Sequence, residues 1–555
     1  MSRSNWTADV DRFRDELDTV VFVVGAILTV LAIGAIAVQP DRASQVLGDT
    51  NTFLWSNVGW VYLWAMFLAV VFCLWLLVGP WGRIKLGGED EEPEFSFFEF
   101  FAMLFSAGLS TGLVFFGPSE ALFHYDAGPP FLGAEAGTEA IIPGAVQYTM
   151  LHWGLSPWSA YLLVGVTIAY FVHRRGAPIK PSTIFAPFIG VENLDKWWTK
   201  PLDIMIVVLS VGGVAVSLGF VVTQFTTGIT YNTGFEFSNL MLLLLTVGLT
   251  IGFTISAAVG INRGILRVST LNVWLFVILL GALFIFGPTV YIFQVGTEAF
   301  GGYIANFAEM SLYMDTAGDG AWVGAWTIFY WGWWFSFAPM IGIFISRICR
   351  GRTIRQVMFA GLAGTTAASF IWFIVLGGTS LWAEHNGAAD ILGPVGEQGE
   401  EVAAFPLFEA IIPTMEVGGT TIPFGELFAG LYLLLVLTFL ITTVDSTTLS
   451  LAIFTSEGNE HPSTVNRVVW GALVGLLTSL LLIAGGLQAL QNLVVLIGLP
   501  IAFVLFLCLA GMIIELEKHH PVLLTERYTD DDPADENIST PSVSVSDGGQ
   551  PAPEE

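Results

Sequence analysis

Three clusters of side chains have types and spacing that suit ligand chemistry. The run Trp331-Gly-Trp333-Trp334-Phe-Ser-Phe337 is uncharged and rich in large rings. On a helix, Trp331, Trp333, Trp334 and Phe337 fall within about 160° of arc. A second set, Trp153, Trp158 and Tyr161, falls within about 140°. Ring faces carry negative quadrupole charge, so such walls can hold a cation at about 0.5–2 kcal/mol per face. A quaternary ammonium has no hydrogen-bond donor, and this attraction is its main specific handle. Core packing and anchoring at a membrane surface are the competing uses of the same rings. The third cluster is Thr442-Thr443-Val-Asp445-Ser446-Thr447-Thr448. Its hydroxyls and carbonyls suit a hard monovalent cation such as sodium. They equally suit bonding back onto their own helix, with Asp445 paired to a neighbour.

The elements that position these clusters are membrane spans. The chain has 555 residues, 54% hydrophobic and 12% charged, against about 25% charged in soluble proteins. Mean hydropathy is +0.71. A bilayer core needs roughly 20 apolar residues in a helix. Twelve such runs cover 18–39, 57–80, 98–123, 143–173, 203–231, 237–260, 268–296, 322–349, 356–383, 425–455, 465–486 and 489–515, numbered here spans 1 to 12. Segment 303–315 reads as an amphipathic surface helix. Of the 20 Lys and Arg, only Arg42 falls outside if both termini are cytoplasmic. Residues 1–17 then form a cytoplasmic segment, 18–515 the membrane domain, and 516–555 an acidic, disordered tail.

Net charge is −27, from 47 acids against 20 bases. That excess suits high salt, where self-repulsion is screened, and indicates a halophilic source. There is no basic stripe, so nucleic-acid binding is excluded. Cys73, Cys349 and Cys508 are too dispersed for a disulfide or metal framework. No catalytic triad or phosphate loop is present, so no enzymatic activity and no cofactor are expected.

Polar residues and glycines at bilayer depth need a reason. Span 3 carries Ser106-Ala-Gly108-Leu109-Ser110-Thr111-Gly112, followed by Pro118. Close helix packing is one use of such small residues. A broken helix whose freed backbone lines a midplane site is the other.

The run WTIFYWGWWFSFAPMIGIFISRICRGRTIRQV (326–357) resembles the signature of the betaine/choline/carnitine transporters. The glycine-rich span 3, the HWGLSPW entry to span 4 and the TTVDS of span 10 follow in the same order, and the resemblance covers about 18–515. It implies a LeuT-like all-α fold of twelve helices: two inverted five-helix repeats, about 98–296 and 322–515, after two extra helices. It implies sodium-coupled import of a zwitterion such as glycine betaine at the cell membrane, for osmoprotection, with sodium as coupling ion and a homotrimeric assembly in which 303–315 is a contact. Trp153, Trp158, Tyr161 and Trp334 become the substrate box, with Trp331, Trp333 and Phe337 alongside. Gly108, Ser110, Thr111 and Gly112 face the substrate carboxylate. Ser106, Leu109, Phe439, Thr442 and Thr443 become a sodium site. Ser210, Val214 and Met340 match a second sodium site, but Val214 supplies no side-chain oxygen. Phe337 stands where many members have tryptophan. Choline carriers have an acid in the span 3 stretch; here it is neutral, which favours net-neutral zwitterions. The acidic tail departs from the basic tail of osmosensing members. Sodium-independent exchange, or carriage of choline, carnitine or another betaine-like solute, is the alternative. A receptor or a channel is a rival of another class. The first would need a signalling domain and the second a polar stripe through several spans.

Overall fold

The structure is a computed structural model of the chain, described here for residues 3–108, 110–259, 265–418 and 420–521. It is essentially all-α, with one short hairpin of strands Thr414–Val417 and Thr420–Pro423. Among the described residues, nine helices are long and apolar enough to cross a membrane. The chain is an all-α polytopic membrane protein.

Span 8 is the centre of the molecule. It runs from Ala321 to Ile348, and its apolar stretch is wholly buried by protein. A helix with no lipid face must satisfy its bulky side chains against other helices, so its tryptophans pack inward. Its first turns, Gly324–Ile328, are π-helical. Such a widened turn shifts the register of the helix beyond it and is often found at functional sites.

Two of the surrounding spans are broken. Span 3 begins at Phe97 under a capping box made by Ser96 and Glu99. It stops at Gly108, which is extended (φ −70°, ψ 166°), and resumes as Ser110–Phe116 and then Glu120–Ala127. The expected break is therefore present. Span 4 is expected as one helix but divides at Gly154 (φ −96°, ψ −130°) into Ile142–Trp153 and Leu155–Arg175. A Cβ at Gly154 would lie 2.5 Å from the Met150 carbonyl and 2.6 Å from the Phe370 ring, so the backbone turn needs a bare residue.

Two boundaries differ from the expectation. Span 7 ends at Phe286, and a separate helix, Thr289–Ser311, replaces both the end of 268–296 and the start of 303–315. Pro288 explains this, since it lacks an N–H and biases Gly287 away from helix. Spans 11 and 12 are two helices within Thr464–His519, divided where expected at Gly486 (φ 60°, ψ −147°). That backbone geometry is open chiefly to glycine. Helix therefore continues to His519, past the expected end of the membrane domain at 515; the tail from 522 lies outside the described residues.

Near the chain start, Asp18 caps Thr19–Val38 by accepting the Val21 N–H at 3.1 Å. It also pairs with Lys200 at 2.6 Å, which ties span 1 to the start of span 5.

Candidate functional site

The aromatic walls of spans 4 and 8 meet as the sequence suggests, with Trp334 as the hub. Its ring lies 5.4 Å from Trp153, 5.8 Å from Trp158 and 5.1 Å from Tyr161, centroid to centroid, at angles of 72°, 61° and 53°. Trp158 and Tyr161 stand edge to face at 5.9 Å. All four side chains are buried. Phe373, from span 9, backs Trp153 at 5.0 Å.

The rest of the tryptophan-rich run is not all in this box. Trp333 touches Trp153 at 6.3 Å but packs most closely on Phe220 of span 5, at 4.6 Å. Trp331 lies almost a turn earlier and meets the His152 ring at 5.8 Å. Phe337 is buried, about one turn beyond Trp334 on the same helix.

Span 3 fits against these rings through its glycines. A Cβ at Gly108 would come 2.7 Å from Trp158, and one at Gly112 would come 2.6 Å from Trp153 and 2.7 Å from Trp333. The Gly108 N–H donates to the Leu104 carbonyl, so that one donor is engaged rather than freed. Thr111 is buried, and among the described residues its hydroxyl has no hydrogen-bond partner; the same holds for the indole N–H groups of Trp158, Trp333 and Trp334. Buried polar atoms without partners carry a cost unless something else meets them. Leu109 lies outside the described residues, as does the Ser110 side chain.

Because Gly108 has a negative φ, alanine is accepted by the backbone there, and only its methyl group collides. Gly108→Ala should therefore leave the fold intact and weaken ligand binding about tenfold, the scale of a modest overpacking strain. Titration of the purified variant with a quaternary-ammonium compound, beside a thermal melt, checks this.

The hydroxyl cluster of span 10 divides in two. Ser446, Thr447 and Thr448 bond back to Thr442, Thr443 and Val444 carbonyls at 2.7, 2.8 and 2.6 Å, so they serve their own helix. Thr442 instead reaches across to span 3. Its Oγ1 lies 3.3 Å from the Ser106 carbonyl and 2.9 Å from the Phe439 carbonyl. Asn272 of span 7 donates to the same oxygen at 3.3 Å. The Thr443 hydroxyl is buried and has no partner among the described residues. Two carbonyls and one hydroxyl of the expected sodium set, those of Ser106, Phe439 and Thr442, thus come together between the facing helices, and the donor types are those a hard cation takes. Asn272 carried no sequence signal, because its partner is 170 positions away. The Asp445 side chain lies outside the described residues.

The second sodium set is less complete. The Ser210 hydroxyl is buried without a partner among the described residues. The Met340 carbonyl already accepts from Ser450 at 2.9 Å, and Val214 is buried hydrocarbon.

One group escaped the sequence reading. Glu120, at the end of span 3, is fully buried. Its Oε1 faces His124 at 3.2 Å and His152 at 2.8 Å. Its Oε2 accepts from the Trp153 indole and from the Tyr330 hydroxyl at 2.7 Å. An acid inside an apolar run was itself a signal; its partners, 32 and 210 residues away, were not legible.

Beyond the box, a cavity of about 700 Å³ is lined by Phe116, Phe329, Asp126, Glu400, Glu401 and Gln491, among others. Phe116 and Phe329 form its border with the box, since both pack on Trp333 at 5.9 Å. Glu400 and Glu401 belong to the loop between spans 9 and 10. Glu400 accepts from Gln491 at 3.0 Å, and Glu401 from Thr227 at 3.2 Å, so the loop is pinned to spans 12 and 5.

Glu400 is partly open to the cavity, yet surrounding protein desolvates its carboxyl. Burial first, then the charge of Glu401, pushes it up to about 8. A carboxyl held above its ordinary range binds its proton more tightly in the packed loop than in the released one. Its stabilising contribution is full below the ordinary range near 4.5 and is lost as pH rises through about 8. Backbone hydrogen exchange of 395–405, corrected for intrinsic rates, should accelerate progressively between about pH 5 and about pH 8 and level off above that. Glu400→Gln should flatten that profile; an unchanged pH dependence in the variant contradicts the assignment.

Comparison with known proteins adds a second line. Residues 20–521 match the family described as BCCT, betaine/carnitine/choline family transporter. The chain is 36% identical over 501 residues to a glycine betaine transporter, OpuD, of Bacillus subtilis, covering 90% of this chain and 94% of that protein. It is 32% identical to a probable glycine betaine transporter of Desulfitobacterium hafniense over 91% of this chain and 98% of that one. It is 34% identical to an ectoine/hydroxyectoine transporter of Virgibacillus pantothenticus, again over 91% and 98%.

Proposed function

The chain belongs to the betaine/carnitine/choline transporter family, and from that premise we propose that it imports glycine betaine by sodium-coupled symport. The observation that carries this reading is the box of Trp153, Trp158, Tyr161 and Trp334 beside the break in span 3, whose Gly108–Gly112 stretch is uncharged. A trimethylammonium group would sit among the ring faces. The Thr111 hydroxyl and the indole N–H groups of Trp158 and Trp334, which have no partner among the described residues, supply donors for a carboxylate. With no acid in the Gly108–Gly112 stretch, a net-neutral zwitterion is favoured over choline.

Ser106 and Phe439 carbonyls with the Thr442 and Thr443 hydroxyls hold sodium. This site joins span 3 to span 10 next to the box, because Phe105 packs on both Phe439 and Trp158, at 6.4 and 6.2 Å. Sodium would thus favour the arrangement of span 3 that completes the box. Rocking of helices around the midplane site then exposes it alternately to the two sides. Twelve crossings form the LeuT-like inverted repeat in this proposal, with both termini cytoplasmic and the cavity of about 700 Å³ facing outward. Helix Thr289–Ser311 exposes Val290, Phe293, Phe300 and Ile304, and this apolar face supports the homotrimer contact. The acid excess supports function at high salt.

Competition separates the substrates. Unlabelled glycine betaine should displace labelled glycine betaine far better than choline, carnitine or ectoine does. Stronger displacement by choline would overturn the zwitterion assignment.

A further inference from the structure

The Glu120 cluster has a place in the box that its side chains make specific. We infer that Glu120 is a positioning residue for substrate binding: its carboxylate orients Trp153, fastens the span 4 wall to span 8, and strengthens the Trp153 ring as a cation acceptor. The inference rests on the betaine reading and adds a residue that the box itself does not contain.

The bonding is one-directional. An indole N–H can only donate, so Trp153 fixes Oε2 as an acceptor. Tyr330 donates to the same oxygen. With Glu120 ionised, Oε1 accepts as well, so the His152 nitrogen facing it, Nδ1, carries a hydrogen, and Nε2 is left to accept from Thr327 at 3.1 Å. His124 supplies a further donor through Nε2. A carboxylate, which only accepts, satisfies four donors at once, and such charge-assisted bonds are the strong ones.

Three elements converge on it. Glu120 and His124 stand on the helix that comes after the broken span 3. His152 and Trp153 end the first half of span 4, just before the turn at Gly154. Thr327 and Tyr330 lie in and just after the π-helical turn of span 8. Each wall of the box thus sends a donor to one anion. The break at Gly154 frees the chain direction at Trp153, and the carboxylate restores a fixed ring orientation. A ring whose N–H is bonded to an anion is polarised toward a more negative face, and a more negative face attracts the trimethylammonium group more strongly.

A rival occupant is a divalent metal, since the ligand-type atoms of Glu120, His124 and His152 lie within 4.8 Å of one another. The hydrogen-bond network accounts for each of those contacts without one.

The test is a double-mutant cycle on glycine betaine affinity in the purified protein at saturating sodium. Glu120→Gln should raise the dissociation constant about tenfold, the scale of one charged hydrogen bond. Trp153→Phe removes the N–H donor and should do likewise. If Glu120 acts through Trp153, the double variant is no worse than the weaker-binding single one; effects that multiply overturn the inference. Half-saturating sodium should stay unchanged in Glu120→Gln. Tyr330→Phe, which deletes one donor and leaves the carboxylate, is the second variant if Glu120→Gln does not fold, and a several-fold loss of affinity is expected.

A readout without substrate separates positioning from transport. Glu120→Gln should change the near-ultraviolet circular dichroism of the tryptophans, and that change should vanish in a Trp153→Phe background. Absence of betaine binding in the unaltered protein would sink the transport reading, while this spectral difference would still report on the positioning. A difference that persists without the Trp153 indole overturns the positioning itself. Loss of betaine binding on chelation, restored by zinc, would overturn it in favour of a metal.

Discussion

Trp334→Ala should raise the dissociation constant for glycine betaine about 100-fold, with the protein still folded. The size comes from its place. Trp334 meets Trp153, Trp158 and Tyr161 together. Its removal deletes a desolvated cation–π face of about 2 kcal/mol. It also releases the three rings it holds, and central, fully buried aromatics commonly account for about 2 kcal/mol or more of binding. Trp334→Phe keeps a weaker π face and should lose only about tenfold. Tryptophan fluorescence is an ambiguous readout when a tryptophan is the residue replaced, so calorimetric titration is the measurement. Unchanged affinity in Trp334→Ala would place the box elsewhere.

Thr443→Val carries the second large effect. Its hydroxyl is buried and has no hydrogen-bond partner among the described residues. On stability alone, exchanging it for a methyl group is therefore neutral or favourable. If Thr443 ligates sodium, half-saturating sodium for betaine binding should rise about tenfold, as for the loss of one hydrogen bond to a charged group. Linkage makes the prediction sharper. Sodium and betaine raise each other's affinity by the same factor. The variant should thus bind betaine like the unaltered protein in sodium-free buffer and fall behind only when sodium is added. A variant equally impaired in both buffers would mean that Thr443 packs the box and does not ligate the ion. Thr442→Val is less clean, because Asn272 would lose the acceptor it now uses.

Much of this arrangement was written in local chemistry. The unbroken apolar runs located the helices, and Gly108 with Gly112 marked the break in span 3. The span 8 set lay at helical spacing and at mid-span, so its inward face came directly from geometry, whereas in span 4 the turn at Gly154 separates Trp153 from Trp158 and Tyr161. What local chemistry could not carry was depth along the helix. Trp331 shares an arc with Trp334, but it stands at the level of His152 and serves a different neighbourhood. The run from 268 to 296 stayed apolar through Gly287-Pro288, and hydropathy hid a break that the dipeptide itself announced. Gly154 is one glycine in a helical pattern, and only the Phe370 ring beside it shows why the chain turns there. The Glu120 cluster joins residues from three elements. Its acid was visible in the apolar run, but its role was not, because the meaning of a buried carboxylate lies in which donors surround it.

Sodium-driven movement of betaine across the bilayer is the proposal on which the other roles depend. Uptake of labelled glycine betaine into proteoliposomes, with an inward sodium gradient or with equal sodium on both sides, tests it most directly. Accumulation above the external concentration is expected only under the gradient, and it should collapse when a sodium ionophore is added. Equal uptake with and without the gradient, reaching no more than equilibrium, would contradict sodium coupling.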